Sequence, residues 1–222
     1  MEAAIAAGAD ALEFDLQCTA DGSAVLMHDD DLDRTTDGRG SVRSATREAL
    51  GRLDAGSWFA VEFAGEPVPT LADVLRAVGH RTERIYAELK GFNHPDDLER
   101  IVDTVASTGT LERTVAISMD WDALERMRTH APALRVGYIV DTAERADEGM
   151  DRAGRAARSL LDFDARLLLA DPTLAERCHR RGIPLATWTV DDPPDAARLL
   201  EMGVPRITTN QVTALARWKA TL

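Results

Sequence analysis

Along this chain, short apolar runs alternate with longer stretches in which apolar residues recur every three or four positions, the pattern of strands followed by amphipathic helices. The strand-like runs fall at residues 11–17, 85–90, 115–118, 135–140, 159–163, 184–190 and 206–209. Helical spacing follows at 96–107, 121–130, 143–158, 173–181, 194–202 and 212–219. A chain that alternates in this way buries its apolar faces as a parallel sheet wrapped by helices. About seven such units in 222 residues predict an α/β fold of the barrel type.

The two ends of that reading differ. Residues 1–7 have the pattern of the last two turns of a helix ending at Gly8, with no capping residue or strand before them. An open barrel of seven strands would leave two unpaired edges, which natural sheets avoid. The expectation is therefore a TIM-type (β/α)8 barrel lacking its first strand and part of its first helix, with a hairpin and a capping insertion after the first strand present. Residues 29–69, rich in Asp, Gly, Thr and Ser, read as too polar for core. Loops of that length are uncommon unless functional, and in parallel barrels the loops leaving the C-terminal strand ends build the site. Residues 29–69 are thus expected to cap a pocket within one domain spanning 1–222.

Period-two alternation then locates chemistry. In 11–17 it sets Leu12, Phe14 and Leu16 on one face and Glu13 and Asp15 on the other; with the apolar face against helices, both acids point into the barrel. Asp21-Gly22 is a strong hairpin signal. A two-residue turn centred there predicts Gln17 opposite Leu26, Leu16 opposite Met27 and Asp15 opposite His28. The run at 85–90 repeats the alternation, sending Glu88 and Lys90 inward. Buried carboxylates near one another do not all ionise without a cation. Glu13, Asp15 and Glu88 offer oxygen only, which suits a hard divalent ion, Mg²⁺ or Ca²⁺, better than zinc. Lys90 beside that ion would favour an anion such as phosphate, and His28 can act as general acid or base near neutral pH.

Composition narrows the partners. The formal net charge is −12, and no run of Lys or Arg along the chain offsets it, which argues against nucleic acid or an anionic membrane and for a small ligand. Cys18 and Cys178, the only cysteines, imply neither a disulfide framework nor a zinc cluster and read as core thiols. There is no apolar run long enough to span a membrane and no signal peptide. A cytoplasmic enzyme is the expectation, a signal on a missing N-terminal segment being the alternative.

In this setting the sequence resembles the glycerophosphodiester phosphodiesterase family. The shared motifs run in order: Gly8-Ala9-Asp10 with Glu13-Phe14-Asp15, Thr19-Ala20-Asp21-Gly22, His28-Asp29, Leu32-Asp33-Arg34-Thr35-Thr36-Asp37-Gly38, and Leu53-Asp54-Ala55-Gly56-Ser57-Trp58-Phe59. They continue with Pro69-Thr70-Leu71, Glu88-Leu89-Lys90, Trp188-Thr189-Val190-Asp191-Asp192 and Ile207-Thr208-Thr209-Asn210. The resemblance implies that Glu13, Asp15 and Glu88 hold a divalent cation, that His28 is one of a catalytic histidine pair, and that Lys90 contacts the substrate phosphate. It also implies that Trp188 lines the pocket, although a core aromatic on a barrel strand is the equal alternative. The implied reaction is hydrolysis of glycerophosphodiesters to glycerol 3-phosphate and an alcohol.

Two departures stand out. Family members begin with a strand ending in His-Arg-Gly, which would carry the partner histidine, and nothing here precedes Met1. Asn210 stands where the family commonly has Asp. His94 follows Lys90 on a strand-to-helix loop but reads as the start of a helix near Pro95, while His80, His130 and His179 read as surface residues. Two further readings accompany the leading one: a catalytically impaired barrel that only binds metal or a phosphorylated ligand, and a phosphodiesterase for a lysophospholipid or phosphoinositide-like diester. No stable membrane insertion is expected in any of them.

Overall fold

The computed structural model describes residues 1–222. Seven strands run parallel: β1 (Ala11–Cys18), β3 (Arg84–Gly91), β4 (Thr114–Ser118), β5 (Arg135–Val140), β6 (Ser159–Asp164), β7 (Leu185–Trp188) and β8 (Arg206–Ile207). The short β2 (Ala24–Leu26) returns antiparallel along the other side of β1, giving the sheet order β2-β1-β3-β4-β5-β6-β7-β8. The sheet curls into a barrel wall in which β8 pairs only with β7.

Ten α-helices decorate it: α1 (Glu2–Ala6), α2 (Arg47–Leu50), α3 (Leu71–Val78), α4 (Pro95–Ser107), α5 (Trp121–His130), α6 (Ala146–Arg155), α7 (Ala165–Ala170), α8 (Thr173–Arg180), α9 (Pro193–Glu201) and α10 (Val212–Lys219). The helix predicted over 143–158 is shorter, a 3₁₀ turn at Ala143–Arg145 leading into α6. α3 lies outside the helical stretches expected above; Thr70 caps it by accepting the Asp73 N–H.

Alternation sorts the strand residues into two cores. Leu12, Phe14, Leu16, Ile85, Leu89, Tyr138, Leu161 and Phe163 face outward and pack with the helices in one large cluster. Tyr86, Val115, Ile117, Ile139, Leu160 and Ala186 face inward and fill the barrel between its two mouths. Gly137 belongs to that inner layer, and an added Cβ would lie 2.7 Å from Ile117 Cγ2 and 2.8 Å from Leu160 Cδ1. Both cysteines are free and fully buried, as expected.

Two expectations need correction. The β1–β2 register is Leu16 opposite Leu26 and Gln17 opposite Val25, one residue away from the predicted pairing. The turn is not a two-residue one: Thr19 N–H donates to the Ser23 carbonyl and Ser23 N–H to Thr19 Oγ1, enclosing three residues with Gly22 at φ +74°. Met27 N–H therefore meets the Asp15 carbonyl, and His28 lies one residue beyond.

Residues 29–69 are also less polar in effect than their composition suggests. Leu32, Val42, Leu50 and Val68 close a small core with Val25 and Met27. Asp54 staples the far part of the segment by accepting from Gly56 N–H, Ser57 N–H, Ser57 Oγ and Gly65 N–H at 2.5–3.0 Å. No helix is long and apolar enough to cross a membrane.

Because the inner layer has no room at Gly137, Gly137→Val should destabilise the fold by about 1–3 kcal/mol through overpacking. Urea unfolding measures this, and an unchanged midpoint would show a loosely packed interior.

Candidate active site

At the C-terminal end of β1 and β3 the inward positions carry charge instead of hydrocarbon. The parallel register places Asp15 beside Glu88 and Glu13 beside Tyr86. Glu13, Asp15 and Glu88 each offer a carboxylate oxygen, all within 4.8 Å of one another. Oxygens that share one ion at about 2.3–2.6 Å can be no farther apart than twice that distance. The donor set therefore fits a single hard divalent cation in composition and in spacing.

Lys90 lodges in the same cluster, with Nζ 2.6 Å from Glu88 Oε1 and 3.4 Å from Asp15 Oδ1. Burial works against its charge, but the two carboxylates outweigh that and raise its pKa. Burial raises Glu88 as well, although Lys90 partly offsets the effect. Glu13 has no such partner. Burial first, then the charges of Asp15, Glu88 and Asp162, push it up to about 8, and its Oε1 is buried without a hydrogen bond. An orphaned carboxylate oxygen beside two other acids is what a cation would satisfy.

His28 stands at the rim, with a side chain 61% exposed and near enough for its charge to act on Glu88. Its Nδ1 is 2.7 Å from Asp29 Oδ1. Asp29 in turn accepts from Arg34 Nε at 2.6 Å and Nη2 at 2.9 Å. Those bonds, the Arg34 pair first, hold the Asp29 carboxyl well below its usual range. A fixed carboxylate on Nδ1 orients the imidazole and leaves Nε2 for chemistry. Arg34 also lies over the Trp58 ring, 5.9 Å from its centroid.

The other histidines lie elsewhere. His94 is the N-cap of α4, where Asp97 accepts its N–H. His80, His130 and His179 are bonded to Thr108, Asp103 and Met202 on the exposed helical surface. Trp188 sits at the end of β7 beside the inner cluster, its Nε1 buried and unpartnered. Asp191 accepts from Thr209 Oγ1 and Asn210 N–H, so Asn210 contributes backbone at this position.

Two buried polar residues near these groups stand outside the sequence expectations. Gln17 is fully buried and donates to Asp30 Oδ1 at 3.1 Å. Asp162 on β6 is 2% exposed, faces inward, and has an unpartnered Oδ1; burial and then the Glu88 charge push it up to about 8. The alternation of Leu160, Asp162 and Asp164 carries the same signal that gave Glu13 and Asp15.

A curled parallel sheet of βα units thus gathers a carboxylate triad, a lysine and a histidine at one mouth. The family model described as Glycerophosphoryl diester phosphodiesterase family matches residues 1–214, and the chain belongs to that family. A glycerophosphodiester phosphodiesterase of Caldanaerobacter subterraneus subsp. tengcongensis is 34% identical over 211 residues, 94% of this chain and 85% of that relative. The crystal structure of a glycerophosphodiester phosphodiesterase from Agrobacterium tumefaciens superimposes with TM-score 0.82 at 25% identity, over 97% of this chain and 90% of that one. An Oleispira antarctica phosphodiesterase solved with the product sn-glycerol-3-phosphate shares the fold, with TM-score 0.84 at 22% identity over 97% and 87% of the two chains.

Asp162 binds its proton more tightly in the folded than in the unfolded chain, so between about pH 4 and 8 its contribution to stability falls as pH rises. Asp162→Asn in EDTA should therefore gain stability relative to the parent as pH increases through that window. Thermal unfolding at several pH values reads this, and parallel pH profiles would refute it.

Proposed function

We propose that the chain hydrolyses glycerophosphodiesters to glycerol 3-phosphate and an alcohol, using a divalent cation, Mg²⁺ or Ca²⁺, held by Glu13, Asp15 and Glu88. The observation that carries this is the convergence of three carboxylate oxygens with Lys90 set among them. The product bound in the Oleispira phosphodiesterase agrees with it.

When bound, such an ion supplies a Lewis acid for a phosphoryl oxygen. The residues do the rest. Lys90 offers ammonium donors to the phosphate, and its pairing with Glu88 keeps it charged. His28, oriented by Asp29 and Arg34, moves a proton at Nε2 to or from the reacting oxygens. Trp188 forms part of the pocket wall, and residues 29–69 cap it within a single domain. The two unpaired, buried thiols suit a reducing cytoplasm.

A second substrate reading has its own support. Trp58, Phe59, Val61 and Phe63 are 50%, 69%, 84% and 42% exposed and form an apolar tip on the cap. Arg34 links that tip to His28. A diester that carries an acyl chain on its glycerol, such as a lysophospholipid, would find apolar surface there.

The test is hydrolysis of glycerophosphocholine, glycerophosphoethanolamine and lysophosphatidylcholine with Mg²⁺, Ca²⁺ or EDTA. Release of glycerol 3-phosphate from the two glycerophosphodiesters that EDTA abolishes is expected, with release of acyl-glycerol 3-phosphate and choline from lysophosphatidylcholine marking the second reading; release that persists in EDTA would remove the metal from the reading. Glu88→Gln should raise the metal concentration for half-maximal rate at least about tenfold, and His28→Ala should lower kcat by about 10²–10⁴. Because Glu13 must lose a proton to bind metal, the metal requirement should ease as pH rises toward about 8.

A further inference from the structure

At the barrel mouth opposite the carboxylates, the strands begin with arginine. Arg84, Arg135 and Arg206 are the first residues of β3, β5 and β8, and Arg158 immediately precedes β6. Alternation puts them on the inward face: Arg84 in step with Tyr86, Arg135 with Gly137 and Ile139, and Arg158 with Leu160 and Asp162. Arg206 pairs with the inward Ala186, and Val136 with Ser159 sets Arg135 next to Arg158. These four are dispersed over more than a hundred residues of sequence, and the strand starts collect them.

Their counter-charge is incomplete. Glu112 pairs with Arg158, and Asp10, on the same side, is taken by Lys219 at 2.6 Å. Arg84 and Arg206 each spend one Nη1 donor on a backbone carbonyl, of Glu83 and Leu185. Arg135 Nε is buried without a partner. Burial, then the charges of Arg158, Arg84 and Arg206, lower the Arg135 pKa, which places all four within electrostatic reach of one point. Arg158 also holds φ +62°, a left-handed backbone that is uncommon outside glycine.

Like charges gathered in this way destabilise the fold unless something anionic joins them. Guanidinium forks match the oxygens of phosphate in pairs. The inner layer of Tyr86, Val115, Leu160 and their neighbours closes the barrel above, so an occupant stays at the mouth. We propose that this N-terminal mouth is a binding site for a small polyvalent oxyanion of the phosphate type, held by Arg84, Arg135, Arg158 and Arg206 and separate from the carboxylate end.

The experiment uses the full chain in EDTA at constant ionic strength, with inorganic phosphate as probe in isothermal titration and thermal unfolding, and chloride as reference. One phosphate per chain and a rise in Tm over chloride are expected. The double variant Arg84→Gln/Arg206→Gln should bind at least tenfold more weakly and lose the Tm rise, its fold being checked by circular dichroism. Arg158→Gln, which alters an exposed side chain, should weaken binding at least threefold and serves if the double variant does not fold. Crystals soaked in arsenate should show anomalous density at the arginine mouth. Density only beside Lys90, unchanged affinity in the arginine variants, or no saturable binding by the parent would each overturn the proposal.

Discussion

Three carboxylates converging inside a barrel repel one another, and the Lys90 ammonium between Glu88 and Asp15 is the interaction that lets the protein hold them together. It neutralises two of the three; the third, Glu13, stays desolvated and proton-loving. The imbalance is the useful part. A site fully neutralised by its own side chains would have no affinity for a cation, whereas one acid too many makes a cation the best remaining partner.

The same alternation that builds the wall made much of this legible beforehand. Glu13, Asp15, Glu88 and Lys90 could be placed inward because strand periodicity is two and the apolar residues between them had an obvious outer destination. The β1–β2 register was not legible, because the three-residue turn depends on the Thr19 side chain and on Gly22 adopting a left-handed backbone, which a dipeptide pattern does not specify. The second core under residues 29–69 escaped notice because Leu32, Val42, Leu50 and Val68 follow no period. The arginine mouth escaped for a related reason: its members become neighbours only once the sheet has curled.

Outside the barrel, residues 29–69 form a short relay. Asp29 fixes the His28 ring, Arg34 fixes Asp29, and Trp58 packs under Arg34. A histidine that is largely exposed would otherwise sample many orientations. The segment that reads as an irregular insertion thus controls the geometry of the His28 ring.

The Asp54 staple gives that segment one more property. A single carboxylate collects four donors from residues 56–65, so the loop that carries Trp58, Phe59 and Phe63 is already ordered in the free protein. Apolar side chains on a disordered loop lose conformational entropy on contact with anything, and much of the gain from burying them is cancelled. Here the backbone beneath the tip has little freedom left to lose, so most of the area covered by a bound molecule would count toward affinity.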